Sequence, residues 1–171
     1  IISHKDKDKR INFKKTNALS FLSSNKKKFD LILVKQTIHL LRLNEIKILL
    51  NKMKKSLNPN GRILIFTLDP HKNEIPYFNL MKKRLLKSLK RDKKILKSIS
   101  KLYPKRILKS FAFEVKISRS KYIEMISKRY ISTLLSMNKK QILSGMKEIN
   151  LKYKKDLKFH DKLVCIIIKN N

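Results

Sequence analysis

The chain of 171 residues carries 44 Lys+Arg against 12 Asp+Glu, a formal charge of +32, with one Cys, two Gly and four Pro. Its length suits one domain over 1–171, and 42% hydrophobic residues supply a core, which excludes a wholly disordered basic tail. Lone Cys165 excludes an internal disulfide, no Cys/His set has zinc-ligand spacing, and no apolar run nears the roughly 18 residues of a membrane span.

With no signal peptide the sequence points to a cytoplasmic protein, and a first residue that is Ile1 rather than Met leads us to expect that its start is missing. The charge suggests a nucleic-acid partner, because cations that neutralise phosphates release counterions. Its makeup argues the other way. Lys outnumbers Arg 36 to 8, aromatic residues are 8% of the chain, and Ile is abundant while Ala, Gly and Val are scarce. Bidentate phosphate or guanine recognition favours Arg, and base stacking needs rings. Drift of surface positions toward Lys and Asn, and a polyanionic partner, both stand as readings.

Residues 11–15 (INFKK) alternate and predict a short strand, and 29–34 (FDLILV) predict a strand covered on both faces. Asn44 is the N-cap candidate of a helix with Ile46, Leu49, Leu50, Met53 and Leu57 on one face. Asn58-Pro59-Asn60-Gly61 should stop that helix and turn the chain, with Gly61 available for positive φ, into a buried strand at 62–68 (RILIFTL). Strand, helix, turn and strand make the βαβ unit of a parallel sheet.

A long helix is predicted over 77–103, with Met81, Leu85, Leu89, Leu96, Ile99 and Tyr103 as its stripe and nine Lys or Arg from Lys82 to Lys97 around it. That basic surface is either a solvated face or a site for RNA or an anionic membrane. Residues 111–117 (FAFEVKI) predict a strand with one wetter face, and Ser118 caps a helix bearing Tyr122, Ile123, Met125 and Ile126. A helix over 138–153 shows Ile142, Leu143, Met146, Ile149 and Tyr153, and 163–168 (LVCIII) predict a strand inside the sheet. Nothing repeats.

No Gly-rich phosphate loop, nucleophile elbow or His-Glu-x-x-His motif is present. Ligands of parallel α/β sheets sit beyond the carboxyl ends of the strands. That rule selects Thr16-Asn17-Ala18, Lys35-Gln36-Thr37-Ile38-His39 and Thr67-Leu68-Asp69-Pro70-His71.

In order, Thr16-Asn17-Ala18-Leu19-Ser20-Phe21, the strand Phe29-Asp30-Leu31-Ile32-Leu33-Val34 running on to His39, and Leu57-Asn58-Pro59-Asn60-Gly61 before the next strand resemble the middle of a class I S-adenosylmethionine-dependent methyltransferase. The resemblance covers roughly residues 11–68 and implies a Rossmann-like α/β methyltransferase sheet, incomplete at its amino end, whose last strand is antiparallel. The family's Gly-rich loop and ribose-binding acid would lie upstream of Ile1, so the chain by itself should bind the cofactor poorly. Asn17 stands where the family has Asp, and Asn60 where it has the first Gly of the turn.

Carried over residue by residue, the resemblance places Asn17 and Ala18 against the adenine of S-adenosylmethionine and Lys35 by its amino-acid part; otherwise Asn17 is a turn residue and Lys35 a solvated Lys. His39 orients a substrate or accepts its proton, or packs against a helix. Asp69 and His71 face substrate, or Asp69-Pro70 only initiates a turn. Arg129 and Tyr130 close over substrate, or Tyr130 packs while Arg129 is wet. Helical segments 75–105 and 119–155 are the candidate substrate-side cap, no metal is expected, and Cys165 reads as buried and structural.

Methyl transfer from a sulfonium needs positioning and desolvation, with a base only for a protonated nucleophile, so the lack of an acid/base pair is compatible with it. The expected activity is methyl transfer to a small molecule in the intact protein. The alternatives are an RNA methyltransferase using the basic helix, or a non-catalytic methyltransferase-like relic.

Overall fold

A computed structural model describes residues 11–170. In chain order these form α1 (Ala18–Ser24), β1 (Phe29–Lys35), a 3-10 turn (Ile38–Leu40), α2 (Leu43–Lys55), β2 (Leu57–Leu68), α3 (Asn79–Leu102), β3 (Ile107–Ile117), α4 (Arg119–Ser127), α5 (Ser132–Leu135), α6 (Lys139–Lys152) and β4 (Leu157–Lys169). The fold is α/β, with a mixed four-stranded sheet. Its four strands lie in the order β1-β2-β4-β3. β1 and β2 are parallel and joined through α2, the expected βαβ unit, whereas β4 enters between β2 and β3 and runs antiparallel to both. The apolar run 163–168 is thus interior, as its composition requires.

Residues 11–17 form no strand. Their alternation has no partner to bury it: Ile11 and Phe13 are exposed, and the segment leads into α1, whose N-cap is Asn17. The N-cap of α2 is Arg42 and not Asn44, because Glu45 turns its carboxylate back to accept from Arg42 N at 2.6 Å. Ser118 caps α4 through Lys121 N, and Asn138 caps α6 in a reciprocal box with Gln141.

The Asn58-Pro59-Asn60-Gly61 segment stays within β2 as an irregularity, since pairing jumps from Phe29↔Leu57 to Leu31↔Arg62. Positive φ falls on Asn60 (64°) and on neither glycine. Gly61 serves close approach instead, because a Cβ there would come within 2.9 Å of Asn58 O and 3.0 Å of Phe29 O.

Ile63 and Ile65 of β2 and Ile166 and Ile168 of β4 pack with Ile46, Leu49, Leu50 and Met53 of α2 and Ile95 and Ile99 of α3. α3 docks by its stripe of Met81, Leu85, Leu89, Ile95 and Ile99 while most of its lysines stay in water. A second cluster gathers Ile75, Phe78, Met81, Tyr122, Ile126, Leu134, Met137, Ile142 and Ile149 under α4 and α6. β3 is more open than its alternation implies. Pairing with β4 alone, it leaves Phe113 54% exposed, and the rings of Phe66, Phe111 and Phe113 follow one another at 5.8 and 6.5 Å. Among the described residues, no helix is long and apolar enough to cross a membrane.

Candidate functional site

A cavity of about 470 Å³ opens where the carboxyl ends of β1, β2 and β3 meet the amino-terminal part of β4. β1 delivers Gln36 and His39, β2 Leu68, β3 Val115 and Ile117, and β4 Phe159 and Asp161, while Tyr122, Met125, Arg129 and Tyr130 in and after α4, with Ser132 and Leu135 of α5, close it over. Most of this wall is apolar with a few convergent polar groups, the makeup of a small-molecule site.

Two local backbone features place the polar groups. Gln36, directly after β1, has φ 51° and donates its N–H to Phe66 O at 2.8 Å, which turns the chain out of the sheet toward His39. Arg129, with φ 52°, follows the carboxyl end of α4. Its N–H donates to Ile126 O and the Tyr130 N–H to Met125 O, the paired bonds of a Schellman ending with Arg in the left-handed position usually held by Gly. Arg129 Nη2 then donates to Met137 O at 3.2 Å, fixing the guanidinium beside the cavity.

The aromatic wall is hydrogen-bonded. Tyr122 donates its hydroxyl to Pro76 O and lies 3.0 Å from the Tyr130 hydroxyl. Burial holds the Tyr122 phenol far above its ordinary range and pushes Tyr130 up to about 12, with the Asp161 carboxylate adding to the latter. Burial also raises the Asp161 carboxyl, whose Oδ1 is buried without a hydrogen-bond partner. Asp92 of α3 is 4% exposed with an unpartnered Oδ1. Burial raises its carboxyl, and the charges of His39 and Arg91 partly offset this.

His39, Arg129 and Tyr130 therefore share one cavity wall. Asp69 and His71 lie outside it: Asp69 Oδ1 accepts from His71 N at 2.8 Å, the turn that Asp-Pro initiates. Lys35 is exposed and pairs with Phe66 in the sheet. Ala18 lines a separate apolar groove of about 490 Å³ with Phe21, Phe29, Leu33, Thr37 and Ile38. Leu40 belongs to both hollows, so the two adjoin. Sequence reasoning missed Asp161 because it placed the start of the last strand at 163, and named Tyr122 only as one residue of the helix that Ser118 caps. The signal available was the polar pair His160-Asp161 ahead of an apolar strand.

The groove's residues fit the adenine end of an adenosyl cofactor. Its apolar walls suit a flat ring, and Asn17 stands beside Ala18. Asn17 Oδ1 already accepts from Leu19 N at 2.8 Å and Ser20 N at 3.3 Å, so the amide is left with donors suited to adenine N1 rather than an acceptor for the N6 amine. No charged residue lines this groove, and among the described residues no cluster of three or more His, Cys, Asp or Glu could hold a metal ion.

No protein-family model and no curated protein matches this sequence. Among solved structures, the chain is similar to the precorrin-8W decarboxylase of Methanobacterium thermoautotrophicum at 10% identity and TM-score 0.42, over 94% of this chain and 55% of that one. It is also similar to the plantazolicin methyltransferase BamL, solved in complex with a triazolic desmethylPZN analogue and SAH, at 15% identity and TM-score 0.40, over 91% of this chain and 59% of that one. The chain spans less than two thirds of the length of either neighbour.

Proposed function

We propose that the protein transfers a methyl group from S-adenosylmethionine to a small molecule and that this chain carries residues for both the cofactor and the substrate. The observation that carries the reading is the cavity on the carboxyl rim of β1 and β2, adjoining the groove at Ala18. In parallel α/β sheets this rim is where ligands bind. The resemblance of residues 11–68 to class I methyltransferases gives the rim its chemistry.

The sulfonium cofactor, when bound, supplies an electrophilic methyl group. In this reading Asn17 and Ala18 border the adenine, and the chain at Lys35 passes by the amino-acid portion. His39 orients the substrate and takes its proton where the nucleophile carries one. Arg129 and Tyr130 close over the substrate, and segment 119–155 acts as the cap that excludes water. Asp69 and His71 hold the turn at the end of β2, outside the cavity lining.

Calorimetry of the full-length protein with S-adenosylmethionine tests the reading. One-to-one binding supports it, and absence of binding overturns it. Once a substrate is in hand, His39→Gln should lower kcat on the order of 100-fold with little change in KM if His39 is the base.

A further inference from the structure

The cavity's hydrogen-bonding polarity follows from counting protons. Tyr122 has one hydroxyl proton, and the Pro76 carbonyl can only accept, so that proton is committed to Pro76 O. The 3.0 Å contact between the two phenols then takes its proton from Tyr130. Tyr130 has thereby spent its only donor, and its oxygen offers lone pairs alone. Asp161 stands in the same wall with Oδ1 buried and unpartnered, and an ionised carboxylate also accepts only. Two acceptors thus line the same cavity. A ligand that satisfies both must bring donors.

We propose that the cavity takes an organic ammonium ion, a protonated amine on an apolar or aromatic body, with Asp161 and Tyr130 receiving its N–H groups. This rests on reading the cavity as the substrate site and names the class of that substrate. The surrounding wall suits both parts of such a molecule. In the same cavity lining the ring of Tyr122 meets those of Tyr130 and Phe159 edge to face, at 5.8 and 6.2 Å, and aromatic faces attract cations. Leu68 and Ile117 receive an apolar body. The competing occupant is a carboxylate held by Arg129. One of that guanidinium's five N–H donors goes to Met137 O and none of its atoms is buried without a partner, whereas Asp161 Oδ1 is, so the buried unmet demand is for a donor.

The test titrates the full-length protein, followed by NMR, with three probes of similar shape: phenethylammonium, 2-phenylethanol and 3-phenylpropionate. The ammonium should bind at least about tenfold more tightly than either other probe, Asp161→Asn should abolish that preference, and Tyr130→Phe should reduce it. Equal binding of the three, tighter binding of the carboxylate, or a preference that survives Asp161→Asn overturns the proposal. The amide NMR spectrum of each preparation serves as the fold control, and S-adenosylmethionine affinity measured on the same preparations separates the two claims. Normal cofactor binding without amine preference defeats the ammonium site alone, and amine preference without cofactor binding defeats the methyltransferase reading alone.

Discussion

Gly145 of α6 lies directly against the buried ring of Phe78, so that a Cβ at Gly145 would come within 2.6 Å of the ring carbons. A glycine inside a helix ordinarily costs about 1 kcal/mol relative to alanine. Here the ring reverses the sign: Gly145→Ala is expected to destabilise by about 1–3 kcal/mol, because Phe78 belongs to the packed cluster under α4 and cannot move freely. Urea unfolding measures it, and a stabilised variant would contradict the packing.

Asp92 is expected to cost stability at neutral pH. Its folded-state carboxyl is raised above the ordinary 3.8, chiefly by burial, so the ionised form is penalised above the folded value and the penalty fades as pH falls through that value. Asp92→Asn should therefore raise stability at pH 7, on the order of 1 kcal/mol, and the gain should shrink on acidification. Thermal unfolding of both proteins between pH 4 and about 8 tests the sign.

Helical periodicity located α2, α3, α4 and α6 because each buries one stripe, and the interior place of β4 was legible in LVCIII. What stayed hidden depends on long-range pairing. The exposed stretch 11–17 has a strand's alternation without a neighbour, and β4 begins six residues earlier than its apolar run because β3 pairs with Leu157 through Asp161. The site was half legible for the same reason. His39, Arg129 and Tyr130 lie near strand or helix ends that periodicity marks, whereas Asp161 reaches the cavity only through the register of β3 with β4.

Glu74 ties the segment after β2 to β4, accepting from Lys162 Nζ and from His160 N at 3.0 Å. Lys162 first, then His160, hold its carboxyl at about 2, below the ordinary 4.5. A depressed acid contributes stability above its unfolded value and loses it as pH falls toward the folded one. Glu74→Gln should accordingly lower Tm at pH 7, and the gap from wild type should close between about pH 4.5 and 2. Because the carboxylate is solvent-facing, added salt should shrink the effect.

The lysines of α3 form a solvated basic face around a docked stripe. Binding of RNA oligonucleotides is expected to be weak, indifferent to sequence and largely lost by about 200 mM salt. Affinity that survives such salt and depends on sequence, and falls when Lys83, Lys87 and Lys90 become Glu, would favour RNA as the methyl acceptor.

The most direct test of the rim is hydrogen exchange of the full-length protein with and without S-adenosylmethionine. Slower exchange in both the 17–22 and 35–41 segments, with α3 unchanged, is the predicted result. Unchanged exchange in both segments at saturating cofactor would contradict it.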